Sequence, residues 1–309
     1  MRRDPIGQGE GVLHLTNIFT WLASAPSEAA KHELTAGKAA LLGIVEGVTE
    51  FLPISSTGHL VVTEKLIHVG THAGAKDAAD TYAITIQSGA ILAVVLLYWQ
   101  RLMEMAQGVL GRDEEGRRIA TATIIAFIPA AVVGVLLEKA IRDKLFGVWP
   151  VIAAWAVGGV VILLFSQALH ERGEQRGAPL ESITVRAALI IGAAQVIALW
   201  PGTSRSMVTI LAALAVGYSV GAAVEFSFLL GLLTLGAATV FDLSRHGKEL
   251  FDTYGYLNPL IGFVFAFVSA VIAIRWMVTY LRRHSLAIFG WYRLIIAAIA
   301  LVLLITGAV

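Results

Sequence analysis

Six apolar runs of about twenty residues each constrain this chain more than any other feature, because a soluble fold has no use for them. They are Tyr82–Trp99, Ile119–Leu137, Val148–Leu169, Val220–Phe241, Pro259–Leu281 and Ile288–Val309. At 1.5 Å per residue, a helix of this length crosses a hydrocarbon core of about 30 Å, with every backbone polar group satisfied within the segment. Runs this long specify helices, not barrel strands. Only 15% of the 309 residues are charged, where an average soluble domain has about 25%. The expected fold is therefore all-α, a polytopic membrane protein with one membrane-embedded domain over 36–309.

Composition narrows the function as well. The net charge is +1, so no global field argues for a nucleic-acid partner. The absence of Cys excludes disulfides, thiolate catalysis and Cys-ligated metals, and leaves the compartment open. The extension 1–35 has Leu15, Ile18, Phe19 and Leu22 at helical spacing beside Trp21, which suits an interfacial helix on the membrane surface. A cleaved signal peptide is the rival reading: Arg2 and Arg3, an apolar stretch, then Ala23-Ser24-Ala25. His14, Thr16 and Asn17 interrupt that stretch and argue against it.

Two further apolar segments are broken by polar turns. Ala36–Val69 is split at Pro53, and Ile183–Gly217 is split at Trp200-Pro201-Gly202. Each half is too short to cross a bilayer, so each segment is expected to be a re-entrant helical hairpin, tolerated where protein or a water-filled cavity surrounds it. The two match each other at an offset of 149: Gly43 with Gly192, Glu46 with Gln195, Phe51 with Trp200. After a one-residue deletion, Pro53 meets Pro201, Ser55 meets Thr203 and Ser56 meets Ser204. Three full spans separate the hairpins, so they enter from opposite faces. The expectation is six full transmembrane helices plus two hairpins in an inverted-topology repeat, with halves at about 36–138 and 183–281 and a shared central site. Loops holding Arg101, Arg112, Arg117, Arg118, Arg172, Arg176, Arg282 and Arg283 slightly outweigh the opposite side's Lys139, Arg142, Lys144, Arg245 and Lys248 with the N-terminal basic residues. The first set would be cytoplasmic, which turns the first hairpin and both termini outward.

The chemistry sits in the two turns. Glu46 and Glu50 lie four residues apart on one helix face and can hold a divalent cation, Mg2+ or Ca2+, through oxygen ligands. The plainer reading is that they cap N–H groups or pair with a base. Ser55, Ser56, Thr57 and Gly58 open the second half-helix, where free N–H groups and the dipole favour an anion, although hydroxyls there are also ordinary caps. His59 follows Ser56 by three residues and can serve as base, acid or nucleophile. Arg205, among Thr203, Ser204 and Ser206, offers a bidentate phosphate clamp; its plainer role is a salt bridge to Glu46 or Glu50, and the two roles can coexist. Polar groups on this scale in lipid-embedded sequence indicate a site, and this set suits hydrolysis of a phosphoanhydride or phosphoester.

EGVTEFLPISSTGH at Glu46–His59 together with PGTSRS at Pro201–Ser206 resembles the undecaprenyl-pyrophosphate phosphatase family, also called BacA or UppP. Gln87–Ala93, Glu225–Leu230 and Tyr292-Arg293 are similar to further family stretches, and the likeness runs from about Ala36 to the C-terminus. The resemblance implies a divalent-metal-dependent undecaprenyl-diphosphatase of the bacterial plasma membrane. Such an enzyme recycles the polyprenyl carrier for peptidoglycan synthesis and cell wall biogenesis, with a link to bacitracin resistance and a site facing outward. It implies Glu46, Glu50, Ser56, His59 and Arg205 as the essential residues, with Ser55, Thr57 and Ser204 assisting. Met207 stands where the family usually has Gly, and the extension before Ala36 is longer than usual. A transporter or flippase for polyprenyl phosphates is the alternative, since inverted repeats with broken helices also build transporters. The Ser56/His59 pair separates the two, because transport needs no nucleophile. The residues leave open which of that pair attacks, the isoprenoid length, the metal, and whether the protein is a monomer or a homodimer.

Overall fold

The computed structural model describes residues 33–71, 76–145 and 147–307. The interfacial helix or signal peptide expected before residue 33 lies outside them. Among the described residues there are eleven α-helices, and the only strand-like pairing is a single bridge between Ala178 and Tyr218. In chain order the helices are α1 (Ala36–Thr49), α2 (Ser56–Leu66), α3 (Lys76–Leu97), α4 (Trp99–Val109), α5 (Glu114–Leu145), α6 (Val148–Arg176), α7 (Val185–Gln195), α8 (Arg205–Ala215), α9 (Val220–Tyr254), α10 (Leu257–Leu281) and α11 (Ala287–Ile305). Six stretches are long and apolar enough to cross a membrane: Ala78–Leu97, Glu114–Leu137, Val148–Arg172, Val220–Tyr254, Leu257–Leu281 and Ala287–Ile305. They coincide with the six runs read from the sequence.

Helices outrun the apolar runs in several places. Arg101 was expected in a loop, but it lies on α4, where Trp99, Leu102, Met103 and Ala106 recur at helical spacing. Lys139 and Lys144 extend α5, and α9 continues past Phe241 for more than three turns to Tyr254. Pro129 sits inside α5 without ending it. Helix formers such as Leu, Glu and Lys carry a helix into the polar zone once the membrane-embedded part has nucleated it.

Both broken segments divide as expected. In the first, α1 has 14 residues and α2 has 11, about 21 Å and 16 Å long. Pro53, with no N–H and a ring that clashes with the preceding turn, prevents α1 from running on. The turn side chains Phe51, Leu52 and Ile54 are buried in the main apolar cluster with Ile210 and Leu214 of α8 and Phe226 and Phe228 of α9. The Phe51 and Phe228 rings meet edge to face at 5.2 Å.

Against α10, α1 packs through small residues spaced four apart. A Cβ on Gly43 would strike the Gly262 carbonyl, and one on Gly47 would strike the Ala266 carbonyl and the Ser269 hydroxyl. This is the small-residue approach that lets membrane helices touch backbone to backbone. Gly47→Leu should therefore cost about 1–3 kcal/mol by overpacking, seen as a thermal midpoint in detergent several degrees lower. An unchanged midpoint would show that the two helices re-space freely.

On the side of the fold beyond the C-terminal end of α3, Arg101 ties three elements together. It bonds Glu104 at 2.7 Å, Glu181 at 2.6 Å and Glu225 at 2.6 Å. The basic charge that the sequence shows there is thus partly consumed in structure.

Candidate active site

The two turns converge on one buried centre. Ser56, the first residue of α2, donates its hydroxyl to Oε2 of Glu50. Arg205, the first residue of α8, reaches Oε1 of the same carboxylate at 3.3 Å. Its other terminal nitrogen donates to the Ser227 carbonyl at 2.8 Å, and the guanidinium lies 5.5 Å from the Phe51 ring centroid. Gly231 leaves the space: a Cβ there would overlap the guanidinium. Arg205 thus makes the salt bridge to Glu50 that the sequence offered.

Glu46 lies beside this pair, 1% exposed, with both carboxylate oxygens buried. Glu50, Ser56 and Gln87 are its polar neighbours. Two cavities meet at the centre. One, of about 180 Å³, is lined by Glu50, Ser56, Gln87, Gln195 and Arg205 and by the apolar Ala130, Leu199 and Leu235. The other, of about 530 Å³, runs from Glu46, Ser56 and Gln87 past Glu64 and Asp80 to Lys65, Thr71 and Lys76. Ser56, Thr57 and Gln87 border both.

The supporting hydroxyls are placed as caps and braces. Ser55 and Ser204 precede their helices with φ 72° and ψ near 100° (102° and 111°), and each accepts the N–H three residues on, from Gly58 and Met207. A positive φ is strained for serine, and such strain persists only where surrounding structure holds it. Ser206 donates to the Leu52 carbonyl at 2.9 Å and touches Ser204 at 3.0 Å, linking the second turn to the first. Thr203 is buried in the second turn, and Thr57 lines both cavities. Gly58 is required by packing, since a Cβ there would overlap the Trp155 indole.

These caps give a different alignment of the two broken segments from the one read in the sequence. Their shared backbone pairs Ser55 with Ser204, so the offset of 149 holds through the turn without a deletion, and Ser56 corresponds to Arg205. Residue type misled the string comparison, which matched serine to serine; the backbone conformation decides. Met207 then corresponds to Gly58. It is buried in the apolar cluster, so its side chain packs away from the cavities.

His59 is set differently. Its Nδ1 lies 2.7 Å from the Ser55 carbonyl, which can only accept, so that nitrogen carries the proton. Its Nε2 lies 2.8 Å from the Tyr292 hydroxyl, and the ring packs 4.9 Å from Trp155 and 5.7 Å from Tyr292. Both ring nitrogens are thus engaged behind the turn, and His59 is absent from the lining of either cavity.

Three residues given no role by the sequence reading also belong here. Arg293 is fully buried and donates to the carbonyls of Pro53 at 3.4 Å, Ala154 at 2.8 Å and Gly202 at 2.9 Å. It fastens both polar turns to α6. A charged residue inside the apolar run of α11 was the signal that could have found it. Gln87 and Gln195, polar residues in apolar helices, carried the same signal.

Among the described residues, no group of three or more His, Asp or Glu is spaced to hold a metal ion. A cation here would rest on Glu46 and Glu50 with non-protein oxygens completing its shell.

A helical membrane protein with an acid–hydroxyl pair, a guanidinium from a second broken segment and two cavities meeting between them is the class this geometry defines. Residues 39–299 match the family described as bacitracin resistance protein BacA, and the chain belongs to that family. An undecaprenyl-diphosphatase of Sorangium cellulosum is 47% identical over 266 residues, covering 85% of this chain and 84% of that protein. Undecaprenyl-diphosphatase 2 of Rhodospirillum rubrum is 44% identical over 87% of this chain and 94% of its own length. An undecaprenyl-diphosphatase of Bradyrhizobium diazoefficiens is 39% identical over 87% and 98%.

Proposed function

We propose that this chain is an undecaprenyl-diphosphatase. It hydrolyses undecaprenyl pyrophosphate to the monophosphate and inorganic phosphate in the bacterial plasma membrane, returning the carrier lipid to peptidoglycan synthesis. One observation carries the reading: Ser56 is hydrogen-bonded to Glu50 where two cavities meet, with Arg205 on the far oxygen. Transport would need the clamp but not an activated hydroxyl. The names of the relatives support the same substrate class.

Ser56 Oγ attacks the terminal phosphorus while its proton passes to Glu50 Oε2. The bond from that phosphorus to the bridging oxygen breaks, and the lipid monophosphate leaves with the proton from Glu50. Water then attacks the phosphoserine, giving a proton to Glu50; inorganic phosphate departs, and the proton returns to Ser56. Arg205 binds the phosphoryl oxygens throughout. Glu46 and Glu50 would hold a divalent cation, Mg2+ or Ca2+, because two buried carboxylates side by side at the cavities offer the oxygen ligands that hard cations take. When bound, the cation neutralises pyrophosphate charge and polarises the terminal phosphoryl group. His59 holds the turn that carries Ser56. His59→Gln should thus keep turnover within about tenfold of wild type, measured as phosphate release; abolition with an intact fold would transfer the nucleophile role to His59.

The matching caps at Ser55 and Ser204 support two re-entrant hairpins in an inverted repeat. The larger cavity reaches Lys76 at the start of α3, whereas Arg101 follows its other end. By the positive-inside rule this cavity faces outward.

The test is phosphate release by purified protein in detergent from farnesyl and undecaprenyl pyrophosphate, with Mg2+, Ca2+ or EDTA, beside Glu50→Gln. Metal-dependent release lost in the variant is expected. No release from well-folded wild type would sink the phosphatase reading, and lipid translocation in liposomes would be measured next.

A further inference from the structure

Gln195 is the last residue of α7 and is 2% exposed, and neither its side-chain nitrogen nor its oxygen has a hydrogen-bond partner. A buried amide left so costs about 1–3 kcal/mol for each unmet group, and native structures retain few of them without a reason. The side chain borders the smaller cavity together with Glu50, Ser56 and Arg205. It also occupies, nine residues before the cap serine of its turn, the place that Glu46 occupies before Ser55.

The two equivalent positions thus carry side chains of nearly the same shape, one a carboxylate and the other an amide that adds N–H donors. Glu46, when ionised, offers only acceptor oxygens, which suits a cation. Gln195 brings two N–H donors with no negative charge. Beside the guanidinium of Arg205, a carboxylate at 195 would repel an incoming phosphate, whereas an amide adds donors to the clamp.

We propose that Gln195 is a substrate-binding residue, donating a hydrogen bond through Nε2 to a non-bridging oxygen of the pyrophosphate held by Arg205. This rests on the hydrolase reading for the identity of the substrate, and on burial and position for the contact itself. It explains why a buried amide stays unpartnered in the wall of the cavity: its partner is the ligand.

Gln195→Met keeps the length and removes the donors. Because Gln195 bonds nothing in the protein, the variant should fold with an unchanged or higher thermal midpoint, while kcat/KM for farnesyl pyrophosphate falls about 10- to 100-fold. Gln195→Glu should fall further and recover partly as Mg2+ is raised, a rescue that Gln195→Met should lack. Binding is read independently of turnover by the rise in thermal midpoint that inorganic pyrophosphate with Mg2+ produces. Wild type should be stabilised and Gln195→Met should not. Equal stabilisation of both proteins, no stabilisation of wild type, or wild-type kcat/KM in Gln195→Met would overturn the proposal. If wild type binds pyrophosphate through Gln195 yet releases no phosphate, the hydrolase reading fails and this contact stands.

Discussion

Ser56→Ala should reduce phosphate release on the order of 10⁴-fold or more, as loss of a nucleophile does where acid, base and clamp act as a unit. Among the described residues, this hydroxyl borders both cavities and is bonded to a carboxylate ready to take its proton. Alanine at the first position of α2 removes no cap, since that role belongs to Ser55, so the thermal midpoint should hold. Acid-quenched protein incubated with labelled substrate should carry phosphate on Ser56 in wild type and none in the variant. Normal turnover in Ser56→Ala would leave direct attack by water as the mechanism.

Arg205→Ala should abolish turnover nearly as completely, by about 10³- to 10⁵-fold, the scale on which an arginine stabilises a transferring phosphoryl group. The same change strands Glu50 in a buried place without its counter-charge, so part of any loss could come from the fold. Arg205→Lys separates the two effects. It keeps a positive charge beside Glu50 but loses the planar fork that also holds the Ser227 carbonyl. A midpoint near wild type with kcat down at least about 100-fold is expected. Lysine supporting ordinary turnover would reduce Arg205 to a structural counter-ion.

The register of the two broken segments shows how far string comparison carries. Serine matched to serine suggested a deletion, whereas the strained backbone at Ser55 and Ser204 requires none. That conformation depends on contacts from distant helices, among them the Arg293 bonds to Pro53 and Gly202. The choice between Ser56 and His59 is similar. Three residues apart in sequence, they differ because Tyr292, 233 residues beyond His59, and the Ser55 carbonyl engage the imidazole, while Glu50 and Arg205 gather on the serine side.

Six spans, two interrupted segments and the polar residues of both turns were legible in the chain itself, because hydrocarbon penalises every unsatisfied backbone group and every stray charge. In that solvent, length and polarity report directly on structure and site. What only the tertiary structure decided was direction: which carboxylate meets Ser56 and Arg205, what engages the two imidazole nitrogens, and that the Gln195 side chain lies unpartnered in the cavity wall while Arg293 binds three carbonyls. Those outcomes depend on contacts between residues from tens to hundreds of positions apart. Helical periodicity and hydropathy are local properties and do not encode which distant carbonyl or hydroxyl a side chain meets.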